Sequence, residues 1–241
     1  MYTVIGWDVG IKNLAFCVVT VDSKITPIDQ FQVREWEIVN LCDTEETNPC
    51  FKCTAKAKYT FEDDQTTIYA CGRHGDKTNR VAIPVPKKIK RDLSLFGNRL
   101  NAELNKRKRI MLNADKVVIE NQPSLQNPFM KSIQIILFSW FLFHGADVGM
   151  MSANNKLKVY EGPEIDMSHV KSLYSRRKKL GIAQCRVLLK DDANAIGVMN
   201  SNKTKCDDLC DAYLMACYDI LRYQDKLKKK TKKKKKKKIS D

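Results

Sequence analysis

The stretch from Thr3 to Thr20, TVIGWDVGIKNLAFCVVT, most constrains what this chain can fold into. An apolar run ends at Asp8, turn residues follow at 10–13, and a second apolar run returns from Leu14. This pattern predicts a β-hairpin with a single carboxylate near its bend. An isolated aspartate at such a bend usually only caps the turn, whereas a carboxylate at a strand end can also hold a metal ion.

Three later acids favour the metal-binding interpretation of Asp8. Glu120 ends a second β-branched run, KVVIEN (116–121), and Asp208 and Asp211 lie three residues apart in a predicted helix. Acids at this spacing share one helix face, so all four carboxylates can meet at one point. Their mutual repulsion is tolerable there only if divalent cations lie between them.

Asp207 is the first acid to exclude from this set. It precedes Asp208 by one residue and therefore points about a quarter-turn away from it on a helix. An alignment error of one residue would exchange the two roles, so the choice between Asp207 and Asp208 stays open at this point.

A metal-binding pattern lies within a polar inserted segment, residues 41–86. Two ligand pairs are separated by seventeen residues, Cys50 with Cys53 and Cys71 with His74. Three thiolates and one imidazole suit a tetrahedral Zn²⁺ ion better than they suit a chance arrangement of surface residues. All four positions are filled by protein, so the expected role is structural, and the segment would depend on the ion to fold. Cys42 is a weaker substitute ligand.

The positive charge of the chain is concentrated in its C-terminal tail. Residues 226–241 contain eleven lysines and one aspartate, which is ten of the net fifteen positive charges. We expect this tail to be disordered, and to serve as an electrostatic tether to nucleic acid, a nuclear-import signal, or both.

The sequence indicates neither export nor a membrane span. The chain does not open with a charged segment followed by an apolar run, so we expect no signal peptide and an intracellular location. The longest apolar stretch, 133–143, falls short of the roughly 18 residues of a span and predicts a buried helix. Nine cysteines in such a chain argue for reduced thiols and metal ligation.

The remaining pattern predicts one α/β domain that the insertion interrupts. The predicted domains are 1–40 with 87–225, the zinc-binding insertion at 41–86, and the tail at 226–241. The further elements predicted from periodicity are a strand at 31–39, an amphipathic helix with a basic face at 87–116, an apolar helix at 129–145, a strand at 157–160, a basic helix at 170–189 broken at Gly181, and a loop at 191–205.

This order of elements resembles the ribonuclease H-like fold, a mixed five-stranded sheet flanked by helices. Within that fold, the chain is similar to the RuvC-like Holliday-junction resolvases, particularly those of poxviruses and other large cytoplasmic DNA viruses. The motifs that carry the resemblance are IGWDVGIKNLAF (5–16), VVIENQ (117–122) and DDLCDAYLMA (207–216). The zinc-binding insertion departs from the simplest members of the family.

The resemblance implies an endodeoxyribonuclease that resolves four-way DNA junctions as a homodimer, in DNA recombination and repair at a viral replication site in host cytoplasm or nucleus. Two Mg²⁺ ions, with Mn²⁺ as a substitute, would promote hydrolysis to 5′-phosphate and 3′-hydroxyl ends. A basic residue also belongs to this family's site, and Lys171 or Lys178 could fill that role, with Lys171 as our candidate. The implied metal ligands are Asp8, Glu120, Asp208 and Asp211.

Two other functions remain open from sequence. The same acids would serve a nuclease for other branched DNA or for RNA–DNA hybrid. A zinc-containing nucleic-acid-binding protein with inert acids belongs to a different class. Actin-like sugar kinases also carry an acid before a glycine in their first strand, but they need two such domains and a glycine-rich phosphate loop. The 241 residues and ten glycines of this chain offer neither.

Overall fold

The computed structural model describes residues 1–22, 25–42, 48–63, 66–75, 78–83 and 92–240, with only the backbone described for 232–240. The chain divides into two compact units, 1–41 with 92–241 and a module (42–91). The first corresponds to the nuclease domain expected from sequence and is called the nuclease unit. The strands are β1 (Tyr2–Asp8), β2 (Leu14–Val21), β3 (Gln32–Val39), β4 (Tyr59–Asp63), β5 (Thr66–Ala70), β6 (Val81–Ala82), β7 (Lys116–Glu120) and β8 (Val148–Met151). The helices are α1 (Leu93–Lys106), α2 (Lys108–Leu112), α3 (Pro128–Phe143), α4 (Leu173–Leu188), α5 (Ala193–Ser201) and α6 (Cys206–Ser240).

The nuclease unit is built on a mixed five-stranded sheet in the order β3-β2-β1-β7-β8. The first three strands are antiparallel neighbours, and β7 and β8 are added in parallel to β1. This confirms the predicted hairpin and the mixed five-stranded sheet with flanking helices. Because β1 and β7 run side by side in the same direction, the residues that end them lie at one edge of the sheet.

Helices cover both faces of the sheet, and the alternation of side chains along β1 sorts residues between them. Val4 faces the core formed with α6, whereas Trp7 packs near Phe141 of α3, with ring centroids 6.3 Å apart. Asp8 follows Val4 by four residues, an even number, so its side chain projects to the same face of the sheet, the α6 side. On β7, Val118 faces α6, and Glu120 shares its parity.

The close approach of α6 to β1 depends on Gly6. A Cβ atom built there would lie 2.1 Å from the carbonyl oxygen of Ala212 and 2.9 Å from the backbone nitrogen of Ala216. Both neighbours are backbone atoms of a helix, so they cannot rotate away as a side chain would. Gly6 thus sets the distance at which α6 passes the strand that ends at Asp8.

Gly6→Ala should therefore destabilise the protein by about 3 kcal/mol or more, because α6 must shift as a body to relieve the overlap. The matched control is Gly197→Ala in α5, where nothing lies within 4 Å of an added Cβ. That change should be neutral or stabilise by up to about 1 kcal/mol, through helix propensity. Urea unfolding of both variants checks the prediction, and equal midpoints would contradict it.

The module forms its own three-stranded antiparallel sheet in the order β5-β4-β6. The hairpin of β4 and β5 pairs Tyr59 with Ala70 at one end and Asp63 with Thr66 at the other. Its described apolar residues provide little core, since the buried ones are Cys50, Ala57, Ala70 and Cys71.

The prediction of a strand at 157–160 is wrong. The fifth strand is β8, and Ala153–Lys158 forms a 3₁₀ helix instead. Gly149 and Met150 have little intrinsic preference for a strand, so β8 is specified by its pairing with β7 rather than by its composition. Val159, which suggested a strand by its apolar character, is buried in the core with α6.

Two expectations for the segment before α6 are also wrong. Gly181 does not break its helix: α4 runs through it, and the glycine is buried, with side-chain atoms of Leu157 and Leu214 3.7 Å from where a Cβ atom would lie. The expected loop at 191–205 contains α5, whose first turn is capped by Asp192 accepting a hydrogen bond from the Ala195 backbone N–H. In both cases, packing against neighbouring elements outweighs local propensity.

The tail differs from the expected disorder, because α6 continues to Ser240. Lysine is a good helix former, and extending a helix whose first half is packed needs no new nucleation. The expected helix at 87–116 is divided into α1 and α2 at Arg107, and 87–91 lie outside the described residues. Among the described residues, no helix is both long and apolar enough to cross a membrane.

Candidate active site and metal centre

The four predicted carboxylates line one cavity of about 390 Å³ in the nuclease unit, at the edge where β1 and β7 end. Asp8 and Glu120 are both buried, and their carboxyl groups share a hydrogen bond. Asp208 and Asp211 reach the same cavity from the first turns of α6. Residues that are more than a hundred positions apart in sequence are thus brought together, as the sequence predicted.

Lys156 lies among these acids, and sequence reasoning missed it. Its Nζ donates hydrogen bonds to Oε1 of Glu120, at 3.3 Å, and to Oδ2 of Asp211. The side chain is only 14% exposed, so the ion pairs are largely shielded from water. The 3₁₀ helix Ala153–Lys158 delivers this lysine, and such a short element leaves no periodic signal in sequence.

The cavity holds more negative charge than its environment favours. Burial, together with the hydrogen bond and charge of Glu120, raises the pKa of Asp8 well above its usual value. Burial also raises the pKa of Asp211 to about 6, even though Lys156 opposes the shift. The pKa of Glu120 is lowered in spite of burial, by Asp8 and Lys156. The pKa values of these two neighbouring acids are thus shifted in opposite directions, and Asp8 is the one whose charged form is disfavoured.

This arrangement fits a hard divalent cation such as Mg²⁺. All four acids offer carboxylate oxygens, which are the ligands that Mg²⁺ prefers. The raised pKa values of Asp8, Asp208 and Asp211 show that additional positive charge would be favourable in the cavity. A cation there would favour the deprotonated form of these acids and compete with Lys156 for Asp211.

Metal binding should consequently depend on pH. Asp8 and Asp211 have raised pKa values when folded, so the metal-free protein loses stability as pH rises from the ordinary carboxyl range through about 6. Glu120, with its lowered pKa, contributes in the opposite direction. Because Mg²⁺ needs the deprotonated acids, its apparent affinity should be about tenfold weaker at pH 5 than at pH 7.

Thermal melting with and without Mg²⁺ at the two pH values measures this effect. The stabilisation by Mg²⁺ should be larger at pH 7 in the wild type, and small at both values in Asp211→Asn. An equal melting shift in both proteins at both pH values would show that these acids do not bind the ion.

Glu120 is held in place by a short chain of amides. The Gln122 Nε2 donates to Oε2 of Glu120 at 2.9 Å, and the Gln122 backbone N–H donates to Oε1 of Gln134 at 2.8 Å. Gln134 is fully buried on α3. This network fixes the carboxylate that lies opposite Asp8.

The structure distinguishes the remaining candidates. Asp207 accepts a hydrogen bond from Lys178 Nζ and is not among the described residues that line the cavity, whereas its neighbour Asp208 lines it. Lys171 is exposed and is not among the described residues that line the cavity, whereas Lys178 is. Arg177, beside Lys178 on α4, also lines it, and together they give the acidic cavity a basic rim.

The module brings together the predicted zinc ligands. One ligand atom from each of Cys50, Cys53, Cys71 and His74 lies within 4.8 Å of every other. Cys53 Sγ is 3.8 Å from Cys71 Sγ, and His74 Nδ1 is 3.4 Å from Cys50 Sγ and 3.5 Å from Cys71 Sγ. Around tetrahedral Zn²⁺, ligand atoms lie about 3.8 Å (S to S) and about 3.5 Å (S to N) apart. The four residues therefore fit zinc.

The charge state of the cluster also suits a metal. Burial alone would raise the pKa of Cys50, but hydrogen bonds to the backbone of Cys71 and Lys52 and to His74 lower it to about 6. A thiol that ionises near neutral pH is ready to act as a ligand, because metals bind the thiolate. Cys42 is not part of the cluster.

Comparison with known proteins agrees with this geometry. Residues 4–122, which include Asp8 and Glu120, match the family model described as mitochondrial resolvase Ydc2 / RNA splicing MRS1. The structure is similar to the yeast mitochondrial Holliday junction resolvase Ydc2, with a TM-score of 0.51, 15% identity, and coverage of 94% of this chain and 82% of that one. The chain therefore resembles this resolvase family over residues 4–122, and it shares the fold of a solved Holliday junction resolvase.

Two further similarities were found, one to a viral resolvase of known structure and one to an uncharacterized viral protein. The Fowlpox virus resolvase, solved with Holliday junction DNA, gives a TM-score of 0.49 at 14% identity, over 93% of this chain and 98% of that one. The uncharacterized protein L451 of Acanthamoeba polyphaga mimivirus is 30% identical over 90% of this chain. The chain spans 62% of the length of that relative.

Proposed function

We propose that this protein is a Mg²⁺-dependent endonuclease that resolves four-way DNA junctions. The observation that carries the proposal is the convergence of Asp8, Glu120, Asp208 and Asp211 on one cavity with excess negative charge. The family match and the fold shared with a solved junction resolvase support it. Acids that served only to cap a turn or to interact with solvent would not need to be buried together.

In this proposal, Asp8, Glu120, Asp208 and Asp211 hold two Mg²⁺ ions, or Mn²⁺ in their place. When bound, the ions supply an activated water for attack on the phosphodiester and offset the charge of the leaving 3′-oxygen, giving a 5′-phosphate and a 3′-hydroxyl. The protein contributes the fixed carboxylates and excludes competing ligands. Lys156, rather than Lys171, is placed to offset negative charge beside Asp211 during the reaction.

The basic rim of the cavity is evidence that the substrate is a polyanion. Arg177 and Lys178 lie where the strand that approaches the acids would place its phosphates. DNA with four arms is the substrate named for the Fowlpox virus and yeast resolvases. We extend the proposal to viral DNA recombination and repair, at a replication site in host cytoplasm or nucleus, because one relative is a mimivirus protein.

A second candidate function follows from the family description, which also names RNA splicing. Under that alternative, the chain would bind structured nucleic acid and its four acids would have no catalytic role. The buried acid cluster favours catalysis, because a binding protein gains nothing from placing repelling carboxylates in one cavity.

Cleavage of a synthetic four-way junction tests the proposal. The same protein is incubated with the junction, a linear duplex, an RNA–DNA hybrid and a folded RNA, with Mg²⁺ and then with Ca²⁺. Paired, symmetric cuts in the junction with Mg²⁺ and intact duplex are expected. Preferential cutting of the hybrid would indicate the other nuclease function, and binding to all four without cutting would overturn catalysis.

We also propose that the protein is a homodimer, and that α3 provides the interface. Ile135, Leu142 and Phe143 lie on one side of this helix and are 43%, 52% and 85% exposed, an apolar stripe that water disfavours. Two copies of the catalytic cavity, related by a two-fold axis, would then cut two strands of a junction.

Phe143→Glu should convert the dimer to monomer, because it places a charge in this stripe at its most exposed residue. The matched control is Val187→Glu on α4, which is 44% exposed and should leave the dimer intact. Light scattering during gel filtration measures the mass of each. A wild-type monomer, or a dimer in both variants, would contradict the proposed interface.

A further inference from the structure

Among its described residues, the module separates its positive and negative charges. We define the zinc end as residues 48–58 and 71–75, which contain the four ligands of the cluster. These residues include Lys52, Lys56, Lys58 and Arg73 and no acid, and all four cations are exposed. The acids Glu62 and Asp63 lie at the far end of β4, about 10–14 Å along the strand. The zinc end is therefore a described part of the module that attracts a polyanion.

An exposed aromatic ring lies among these cations. Phe51, within the first ligand pair, is 49% exposed. Its backbone N–H donates to the Tyr69 carbonyl at 2.9 Å, and its ring meets Phe61 edge-on with centroids 5.8 Å apart. Lys52 Nζ lies 5.5 Å from the centre of the same ring. The ring is thus held in one orientation before any partner binds, which reduces the entropy lost on binding.

The two ligand loops meet at the cluster. Each loop makes a tight turn, with the backbone N–H of Cys53 donating to the Cys50 carbonyl and that of His74 donating to the Cys71 carbonyl. The two loops approach each other at Cys53 and Cys71, whose sulfur atoms are 3.8 Å apart. Residues 51–52 and 72–73 therefore flank one cluster, all of them exposed, and they supply an aromatic ring and two cations.

We propose that the zinc end binds unpaired bases in single-stranded segments of nucleic acid. Phe51 stacks on a base, and Lys52 and Arg73 contact the flanking phosphates. A ring and adjacent cations are the two components by which proteins bind single strands. Bases in an intact duplex have no free face for such stacking, so the chemistry selects unpaired nucleotides. This binding does not depend on cleavage by the nuclease unit.

The test measures binding by the full-length chain carrying Asp8→Asn, so that no probe is cut. The probes are a labelled DNA hairpin with a single-stranded thymidine tail and the same hairpin with a blunt end. Phe51→Leu keeps an apolar contact with Phe61 but removes the aromatic face. It should weaken binding to the tailed hairpin by about 5-fold to 140-fold and leave blunt-hairpin binding within about twofold. Phe51→Trp should restore the affinity.

Charge variants give an independent readout. For the tailed hairpin, log affinity falls linearly with log salt. Lys52→Ala and Arg73→Ala should each make this slope shallower by about 0.7, the value for one lost phosphate contact on a single strand. Val81→Ala is the matched control, since Val81 is 66% exposed in the same module. It should change neither affinity nor slope, and zinc content measured for every variant establishes that the module is folded.

Three results would overturn the proposal. In the first, Phe51→Leu binds the tailed hairpin as tightly as Val81→Ala does. In the second, Phe51→Leu loses affinity equally for both hairpins, which would make the surface a duplex contact. In the third, a polyglutamate peptide displaces the tailed hairpin as well as a thymidine oligonucleotide does, which would assign the surface to acidic proteins.

Discussion

Asp8→Asn should reduce the cleavage of a four-way junction by about 1000-fold or more, while binding of the junction is retained. Asp8 lies at the end of β1, next to both Glu120 and Asp211, so it is the acid best placed to contact two cations. Losing its charge removes several kcal/mol of metal-mediated stabilisation of the transition state, and about 4 kcal/mol corresponds to that factor.

The same variant should remain folded. Asparagine has the shape of aspartate, its amide can donate to Glu120, and the substitution removes one of the buried groups that repel each other. The melting temperature without Mg²⁺ should be equal to or higher than that of the wild type. Loss of cleavage can therefore be separated from loss of structure, and gel-shift binding of the junction in Ca²⁺ separates it from loss of affinity.

The neighbours Asp207 and Asp208 provide a matched control for this prediction. Asp208 lines the cavity, whereas Asp207 is not among its described lining residues and pairs with Lys178. Asp208→Asn should therefore cause a large loss of cleavage, and Asp207→Asn less than about tenfold. Wild-type cleavage by Asp8→Asn would exclude the proposed metal site. If Asp207→Asn lost more cleavage than Asp208→Asn, Asp207 and not Asp208 would be assigned to the metal site.

The acids could be predicted from sequence because each follows a regular period. Asp8 and Glu120 end strands whose alternation sets the face on which they project, and Asp208 and Asp211 share a helix face. Lys156 could not be predicted in this way. Its position depends on a 3₁₀ helix that packs beside α6, and this packing is a tertiary contact with no local signature.

Glycines show the same limit on sequence reasoning. Gly181 suggested a helix break, and Gly6 suggested nothing, yet both are positions where α6 is approached closely. A glycine in the sequence shows only that a side chain is missing at that position. Whether it ends a helix or admits a neighbouring element is decided by what packs there, which the local pattern does not contain.

Removal of zinc should unfold the module and leave the nuclease unit folded. The described residues of the module bury too little apolar surface to hold it together, since the buried apolar side chains among them are two cysteines of the cluster and two alanines. Structural zinc contributes about 10–16 kcal/mol in small domains of this kind, which is more than such a core can supply. Cys71→Ser should therefore lose zinc and become sensitive to proteolysis within 48–83.

Cys42→Ser is the control, because Cys42 lies outside the cluster and its loss should leave one zinc ion bound per chain. Hydrogen exchange resolves the two units. Amides of β4 and β5 should exchange rapidly in Cys71→Ser, while those of β1 and β2, paired in the larger sheet, remain protected. Protection of β4 and β5 in the zinc-free variant would show that the strand pairing, and not the metal, holds the module. Loss of protection in β1 would show that the nuclease unit also depends on the ion.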